Sequence, residues 1–409
     1  MMENFRALGI EEPILRAIED EKFEKPTEIQ EKAIPLILAG KDVIAGSSTG
    51  SGKTLVFAAG IIQNPERGKG IQALVLTPTR ELAEQITDAL RGFSKYNRID
   101  ITSIYGGLSI IPQIKSLKDT DVVVGTPGRI LDHIERRTIN LRNVKILVLD
   151  EADRMLDMGF VDDVERIMRE CPRERRQTLL FSATISKEIA YLARKYMKEP
   201  VEVAAEQYVD PKKLTQIYYD VPDSIKFSLL VHLLKHEESG LVMVFCNTRK
   251  NTDFVANNLN ASGIEAVAIH GGFSQARRNS VMKQFHSQKV YVLVCTDVAS
   301  RGLDIPGVSH VYNYDIPADS KDYIHRIGRT ARAGHEGKVI NVLSRKDHDN
   351  FRRASHENDL NIAKEPVPDV EKVSIEWTEP KRFGRRGNTR RPARTDRGRN
   401  NNRSSRGRF

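Results

Sequence analysis

A glycine-rich segment near the N-terminus has residue types that suit phosphate binding. It runs from Ser47 to Thr54, after the apolar residues Val43–Ala45 and before an apolar run that begins at Leu55. This order predicts a strand, a loop and a helix, with backbone N–H groups and the helix N-terminus around a polyphosphate. Lys53 would reach the outer phosphates, and the Thr54 hydroxyl would bind Mg²⁺. The alternative is a serine- and glycine-rich turn that happens to contain a lysine. The residues predicted to bind the phosphates are Ser47, Ser48, Thr49, Gly50, Ser51, Gly52, Lys53 and Thr54.

An acidic cluster follows a second apolar run. Asp150, Glu151 and Asp153 come directly after Val144–Leu149. A buried strand would deliver these carboxylates to the edge of a sheet, beside the phosphate loop. Asp150 would then bind Mg²⁺, partly through water, with Glu151 next to the ion. Glu151 would also orient and deprotonate the water that attacks the terminal phosphorus. A solvated loop is the usual alternative for such a cluster, and its position after a strand favours the functional interpretation.

Length and composition are those of a globular protein with an unusual C-terminus. The 409 residues allow two cores and a tail, and 39% hydrophobic and 29% charged residues are ordinary values. We find no apolar run of the roughly 18 residues that would span a bilayer, and no signal peptide at the N-terminus. The three cysteines have no metal-binding spacing, and Cys246 and Cys295 lie in apolar runs, so we expect these two to be buried core thiols. A reducing compartment, most simply the cytoplasm, is therefore expected.

Short apolar runs alternate with helical patterns twice along the chain. Several runs are apolar throughout, which is typical of parallel strands covered on both faces. We predict an α/β fold in which two parallel-sheet domains in tandem enclose a cleft. The predicted bounds are 1–203 for the first domain, 204–213 for a linker, 214–365 for the second domain and 366–409 for a disordered tail. The predicted strands are Val43–Ala45, Ala73–Leu76, Ile99–Tyr105, Val122–Val124, Val144–Leu149, Thr178–Phe181, Leu214–Val221, Leu241–Cys246, Ile264–Ile269, Val290–Cys295, Val308–Tyr314 and Val339–Leu343.

The basic character of the chain lies in the tail. The segment Lys381–Phe409 contains twelve Lys or Arg and one Asp, whereas the whole chain has a net charge of +9. A segment with so little to bury should be disordered, and its cations should bind polyanions at low salt. Deleting Lys381–Phe409 is expected to weaken the binding of polyanions and flatten its salt dependence without changing binding at the phosphate loop. The alternative is a tail that is merely solvated.

The ordered set of motifs resembles the DEAD-box family of ATP-dependent RNA helicases, from about Phe5 to Leu343. Asp150–Asp153 reads Asp-Glu-Ala-Asp, and Phe23–Gln30 resembles the adenine-reading Q motif of the family. The other matching stretches are Pro78–Ala83, Gly106–Gly107, Thr126–Arg129, Ser182–Thr184, Val244–Thr248, Gln275–Arg278, Thr296–Asp304 and His325–Arg332. The resemblance implies two RecA-like domains, ATP and Mg²⁺ as cofactors, RNA as partner and a monomeric core.

The resemblance assigns roles at the ATP site. Gln30 would read the N6/N7 edge of adenine, Phe23 would stack on the base, and Asp304 would contact the ribose. Arg329 and Arg332 would be arginine fingers that reach from the second domain to the γ-phosphate, where such groups contribute about 10³–10⁵ in rate. An ordinary core aromatic and a surface basic cluster are the respective alternatives for Phe23 and the arginines. The residues that would couple ATP to the second domain are Asp153, Ser182, Thr184 and His325; for His325 a structural role is equally open.

The resemblance also implies RNA contacts through small side chains, backbone N–H groups and a few cations. These groups suit phosphates and 2′-hydroxyls, so binding should not depend on sequence. Glycines that merely form turns are the alternative. The expected RNA-binding residues are Pro78, Thr79, Arg80, Gly106, Gly107, Thr126, Pro127, Gly128, Arg129, Thr248, Arg278 and Thr296.

Two departures from the family pattern are small. Ser47 and Ser48 stand where the family usually has Ala-Gln or Ala-Pro, and both are small enough for the loop to form. Glu28 replaces the second proline of the Q motif, which predicts a looser helix start. Three other functions stay open: an RNA clamp that uses ATP without unwinding, a DNA helicase, and a phosphate-loop ATPase such as a transport motor. The motifs from His325 to Arg332 argue against the last.

Overall fold

The computed structural model describes residues 2–46, 51–63, 66, 68–182, 185–204, 214–300, 305, 307–331 and 336–375. Contacts divide the chain into Met1–Ser374 and Ile375–Phe409, and only Ile375 of the second unit is described. Of the predicted disordered tail, 366–409, residues 366–375 are described, and the prediction for residues 376–409 lies outside the described part of the chain. The folded unit continues past residue 365, and Val373 N donates a hydrogen bond of 3.0 Å to Ser228 Oγ.

The first lobe is a parallel sheet with helices on both faces. Its strands are β1 Val43–Gly46, β2 Ala73–Leu76, β3 Ile101–Ile104, β4 Val122–Gly125, β5 Ile146–Leu149, β6 Gln177–Ser182 and β7 Val201–Ala204. Its helices are α1 Met2–Ala7, α2 Glu12–Asp20, α3 Glu28–Leu38, α4 Lys53–Gln63, α5 Arg80–Phe93, α6 Ile110–Ser116, α7 Pro127–Glu135, α8 Ala152–Asp157, α9 Val161–Glu170 and α10 Lys187–Tyr196, with a 3₁₀ turn at Leu117–Asp119.

The second lobe repeats this architecture. Its strands are β8 Leu214–Asp220, β9 Leu241–Phe245, β10 Ala266–Ile269, β11 Val292–Cys295, β12 Val308–Asn313, β13 Gly337–Leu343 and β14 Ala363–Lys364. Its helices are α11 Asp223–His236, α12 Arg249–Ala261, α13 Gln275–His286, α14 Asp297–Ser300, α15 Ser320–Ile327 and α16 His348–Glu357.

Both sheets have the same strand order. The first runs β3-β4-β2-β5-β6-β1-β7 and the second runs β10-β11-β9-β12-β13-β8-β14, so each position differs by seven in the numbering. Parallel pairing, such as Val75 opposite Val124 and Val148, brings the carboxyl ends of the strands to one edge. Loops at that edge can therefore bring distant motifs together.

Alternate residues of a strand enter different cores. In β2, Ala73 and Val75 pack into one apolar cluster, whereas Leu74 and Leu76 pack into the cluster on the other face. A strand covered on both faces needs apolar residues throughout, as the sequence has. The predicted fold of two parallel α/β sheets is confirmed. The sequence analysis did not assign β7 or β14, and β14 is a pair of exposed residues without an apolar signal.

Two expectations about the surface and core can also be compared with the structure. Within the described part of the chain, no helix is both long and apolar enough to cross a bilayer. Cys171, Cys246 and Cys295 are buried free thiols. The prediction that Cys246 and Cys295 are core residues is confirmed.

Candidate active site

The lysine of the glycine-rich segment meets the first acidic residue. Lys53 begins α4 and Asp150 follows β5, and the Lys53 Nζ to Asp150 Oδ1 distance is 2.7 Å. Asp150 is completely buried and Lys53 is nearly so. Burial alone would lower the pKa of Lys53, but Asp150, Glu151 and Asp153 together raise it above its ordinary value. The site therefore keeps a charged ammonium group where polyphosphate is expected.

Glu151 is held by cations from both lobes. Its backbone is left-handed, with φ of 52°, and its carboxylate forms an ion pair with Arg154 one turn further along the chain. Burial would raise the pKa of Glu151, but Arg154, Lys53 and Arg329 hold it at about 2. Arg329 follows α15 of the second lobe and is buried. Glu151 is thus a carboxylate at neutral pH, and Arg329 of the second lobe lies close enough to lower its pKa.

The described residues fit a magnesium ion held largely by water and phosphate. Asp150 Oδ2 is buried and accepts no hydrogen bond, so one carboxylate oxygen is available. Thr54 follows Lys53 in α4 and supplies a hydroxyl group. Among these residues there is no group of three or more His, Cys, Asp and Glu side chains that could hold a metal. A single carboxylate oxygen and a hydroxyl match the way proteins bind Mg²⁺ together with a nucleotide.

The N-terminal Q motif is hydrogen-bonded to the end of the phosphate loop. Gln30 Oε1 accepts a hydrogen bond of 2.9 Å from Thr27 N, and Gln30 Nε2 donates one of 3.0 Å to Gly52 O. Thr27 Oγ1 donates a hydrogen bond of 2.8 Å to Ser51 O. A glutamine amide has two N–H groups and two acceptor sites, so Gln30 retains one of each for a base. Gln30 is therefore both a support of the loop and a candidate adenine reader.

The start of α3 is well formed despite the missing proline. The helix begins at Glu28, directly after Thr27, and Glu28 Oε1 lies 2.5 Å from Lys32 Nζ. The reciprocal bond between Gln30 and Thr27 N closes a capping box. The predicted loosening of this helix start stays a prediction.

Phe23 is placed at the surface rather than in the core. Its side chain is 39% exposed, and its ring centroid lies 6.2 Å from that of Phe93. An exposed ring just before α3 can stack on a base, so the alternative of an ordinary core aromatic is wrong. Its contact with adenine stays a prediction.

Two of the predicted coupling residues, Asp153 and Ser182, lie at the carboxyl ends of the neighbouring strands β5 and β6, and His325 lies in the second lobe. Asp153 is in α8 with its Oδ1 accepting from Arg154 N at 3.0 Å, and Ser182 ends β6. His325 is in α15, where its Nδ1 lies 3.9 Å from Asp322 Oδ1. The predicted bridge from His325 to the Ser182 region stays a prediction. The predicted site residues outside the described part of the chain are Ser47, Ser48, Thr49, Gly50, Thr184, Asp304 and Arg332.

Arg326 anchors the helix that leads to Arg329. It is 1% exposed, and its guanidinium donates to both carboxylate oxygens of Asp297 at 2.6 and 2.7 Å. It also donates to Asn247 Oδ1 at 2.9 Å and to Asp315 O at 2.5 Å. The sequence analysis gave Arg326 and Asp297 no role. A buried bidentate pair of this kind fixes the direction of α15 and hence of Arg329.

The predicted first-lobe RNA contacts lie together. Thr79 caps α5 by accepting from Leu82 N at 3.3 Å, and Arg80 begins that helix. Gly107 has φ of +85°, and a Cβ atom there would lie 1.9 Å from Arg80 Nη1. The glycine is therefore required both by its backbone and by the guanidinium packed on it. Thr126 precedes α7, which starts at Pro127.

A groove with a volume of about 470 Å³ lies between the two lobes and is lined by residues of both. Its lining from the expected RNA-binding set is Pro78, Thr79, Arg80, Gly106, Thr126, Gly128, Arg129 and Arg278. Glu81 of the first lobe contacts the second lobe across this groove. Its Oε1 accepts a hydrogen bond of 3.0 Å from Gln275 Nε2. The sequence analysis assigned neither Glu81 nor Gln275, because a contact between residues this far apart has no local signal.

The remaining predicted contacts follow strands of the second lobe or precede its helices. Thr248 caps α12 by accepting from Asn251 N at 3.1 Å and is exposed. Thr296 follows β11 and is 7% exposed. Whether these residues bind RNA stays a prediction.

Two parallel sheets of the same strand order, with Lys53 paired to Asp150 at one sheet edge and a buried arginine from the second lobe, define a nucleotide-dependent enzyme of two α/β lobes. The DEAD/DEAH box helicase domain matches residues 27–192, and the helicase conserved C-terminal domain matches residues 225–334. The chain is 44% identical over 363 residues to a probable ATP-dependent RNA helicase of Methanocaldococcus jannaschii, covering 88% of this chain and 97% of that protein. It is 45% identical to the ATP-dependent RNA helicase CshA of Listeria monocytogenes, covering 85% of this chain and 67% of that protein.

The chain therefore belongs to the DEAD-box helicase family, which confirms the prediction of an ATP-dependent RNA helicase. Among solved structures, Dbp5 of S. cerevisiae bound to RNA and ADP BeF3 is 33% identical, with a TM-score of 0.80 and coverage of 89% of this chain and 96% of that one. A DEAD box protein of Methanococcus jannaschii is 44% identical but has a TM-score of 0.56, with coverage of 89% and 99%.

Proposed function

We propose that this helicase hydrolyses ATP when its two lobes close around RNA. Closure would locally unwind short duplexes or remodel RNA–protein complexes, largely without sequence specificity. The observation that carries the proposal is the position of Arg329. It belongs to the second lobe, yet its charge lowers the pKa of Glu151 in the first. One ATP site would thus be built from both lobes.

The resemblance to known structures supports the same arrangement. The chain superposes better on the RNA- and nucleotide-bound Dbp5 than on the M. jannaschii protein, although the sequence of the latter is more similar. Glu81 contacts Arg278 and Gln275 across the groove. Both the likeness to the ligand-bound Dbp5 and the Glu81 contacts are expected of a state in which the two lobes are closed on each other.

In this mechanism Lys53 binds the outer phosphates of ATP, and Gln30 and Phe23 bind the adenine. Magnesium, held through Thr54 and Asp150, would neutralise phosphate charge. Glu151 holds the attacking water and takes up its proton as the water attacks. Because Glu151 is paired with Arg154, it must loosen that pair before it can accept a proton. Arg329, and by resemblance Arg332, stabilise the charge that develops on the terminal phosphate.

RNA would be held by the groove that the two lobes share. Arg80, Arg129 and Arg278 supply positive charge, and the glycine and threonine residues supply backbone N–H groups for phosphates. Contacts of this kind bind a strand without reading its sequence. The expected 2′-hydroxyl contacts favour RNA over DNA. We also propose a cytoplasmic, monomeric core with the bounds given above for the first domain and the linker, a second domain that extends to Ser374, and a tail that adds non-specific RNA affinity.

Displacement of one strand from a short RNA duplex tests this function. The wild type should displace the strand with ATP, and Arg329→Ala should lose most of this activity because the second lobe no longer completes the site. Arg345→Ala, which removes an exposed arginine of the same lobe, should remain active. ATP-dependent RNA binding by the wild type without strand displacement would instead support the clamp.

A further inference from the structure

The side chain of Glu151 is held by a residue one turn further along the chain. Glu151 lies between β5 and α8 with a left-handed backbone, and a glutamate side chain has several rotatable bonds that leave its carboxylate free to turn. Arg154 Nη1 donates to Glu151 Oε2. The two side chains are only 4% and 6% exposed. The direction of the Glu151 carboxylate is therefore set in part by Arg154.

Arg154 is an unusual buried arginine. Its Nε and Nη2 atoms are buried, and neither donates a hydrogen bond within the residues that the structure describes. Two other buried arginines differ from it, because Arg326 and Arg176 each donate hydrogen bonds through Nε, Nη1 and Nη2. Buried donors without acceptors cost stability. Arg154 is thus poorly suited to support the fold, and its contact with Glu151 gives it another role.

We propose that Arg154 is a positioning residue that holds the Glu151 carboxylate toward the water that attacks ATP. This inference rests on the proposed function, in which Glu151 holds that water. The contact uses one nitrogen of Arg154 and one oxygen of Glu151, and a carboxylate has further acceptor sites for a water molecule. A carboxylate that is fixed in direction holds the water in line for attack more often than one that turns freely. The pair weakens when the proton arrives, so Arg154 acts on the placement of the water.

Variants of the full chain separate this role from support of the fold. Steady-state ATP hydrolysis is measured at saturating RNA, and the affinity for a fluorescent, non-hydrolysable ATP analogue is measured by titration. Arg154→Met keeps an unbranched side chain without the charge, so kcat should fall by at least about 10-fold while the analogue affinity changes little. Arg154→Lys should keep kcat within about threefold of the wild type, because one ammonium group can replace the single bond to Glu151.

A second substitution tests whether Arg154 acts through Glu151. The double variant Glu151→Gln, Arg154→Met should be no slower than Glu151→Gln alone, since the carboxylate that Arg154 positions is already gone. Arg176→Lys is the matched control, at a buried arginine directly before the amino end of β6. It should lower the denaturant midpoint of unfolding and leave kcat per folded molecule unchanged.

Wild-type kcat in Arg154→Met would overturn the positioning role and leave the proposed function standing. A loss that Arg154→Lys shares in full, or a double variant slower than Glu151→Gln, would also overturn it. Arg154→Leu, with the same expected loss of kcat, takes the place of Arg154→Met if the latter does not fold. A wild type whose hydrolysis is not stimulated by RNA would overturn both proposals.

Discussion

Arg278 of the second lobe forms an ion pair with Glu81 of the first, with 2.8 Å between Nε and Oε1. Both side chains are about nine-tenths buried, so each charge depends on the other. The contact lies in the groove that we assign to RNA. The relative position of the two lobes therefore determines whether this part of the proposed RNA-binding groove forms.

Breaking this pair is expected to weaken RNA-coupled ATP hydrolysis. Arg278→Gln should raise the RNA concentration that gives half-maximal ATPase by about 10-fold or more, because Glu81 is left as an unpaired negative charge in the groove that holds RNA, and Glu81→Gln should raise it less because RNA phosphate can pair with Arg278. Glu12→Gln breaks the exposed pair of Glu12 and Arg6 and should have no such effect. The double variant Glu81→Arg, Arg278→Glu should recover part of the loss. A double variant that loses the full sum of both single effects would argue against the pairing.

The glycine before Lys53 is required by both its backbone and its surroundings. Gly52 has φ of +84°, and a Cβ atom there would lie 2.4 Å from Gln30 Nε2. Gly52→Ala should therefore weaken ATP binding by at least about 10-fold, since backbone strain of about 1–2 kcal/mol is added to a clash with Gln30. Gly40→Ala is the control, with φ of +75° but no atom within 4 Å. ATP affinity measured by titration should separate the two. Equal ATP affinities would contradict the proposed support of the loop by Gln30.

Arg326 should contribute strongly to the stability of the second lobe. Lysine cannot reproduce a fork that binds both oxygens of Asp297 and also Asn247. Arg326→Lys should lower the free energy of unfolding by about 3 kcal/mol, as expected when a buried charge loses its partners. Arg353→Lys, at an exposed arginine that donates to Ala318 O, should change it little. Denaturant titrations measure both. An unchanged midpoint in Arg326→Lys would contradict the anchoring role.

His133 should make the protein less stable in mild acid. Burial, followed by the charge of Arg129, lowers the pKa of His133 below its ordinary 6.5. The unfolded chain therefore takes up a proton as pH falls below 6.5, whereas the folded chain resists it, and the free energy of unfolding decreases. His133→Gln should lose less stability than the wild type between about pH 7.5 and 5.5. Parallel curves for the two proteins would show that His133 titrates equally in both states.

The sequence alone predicted those parts of the site in which a functional residue directly follows a predicted strand or its loop. Lys53 and Asp150 each follow a short apolar run, and parallel strands bring such ends to one edge of a sheet. Their ion pair, at 2.7 Å, therefore follows from the parallel topology, and that topology can be predicted from the order of the motifs. The two sheets were predictable for the same reason, because uniformly apolar runs require cover on both faces.

The contacts that join the motifs were not predictable. Glu81 and Arg278 lie far apart in the sequence and in different lobes, and neither has a local pattern that indicates its partner. Arg154 reads as an ordinary surface residue of a helix, yet it is buried beside Glu151. Gln30 was assigned to adenine alone, whereas its side chain also supports the phosphate loop. Each of these depends on packing between elements, which residue spacing does not encode.

The central claim is that one ATP site, completed by both lobes, is activated by RNA. Steady-state ATP hydrolysis tests it most directly, measured alone, with single-stranded RNA and with DNA of the same sequence. We expect strong stimulation by RNA, little by DNA, and loss of activity in Glu151→Gln, whose side chain cannot take the proton. Hydrolysis that is indifferent to RNA, or equally stimulated by DNA, would contradict the account.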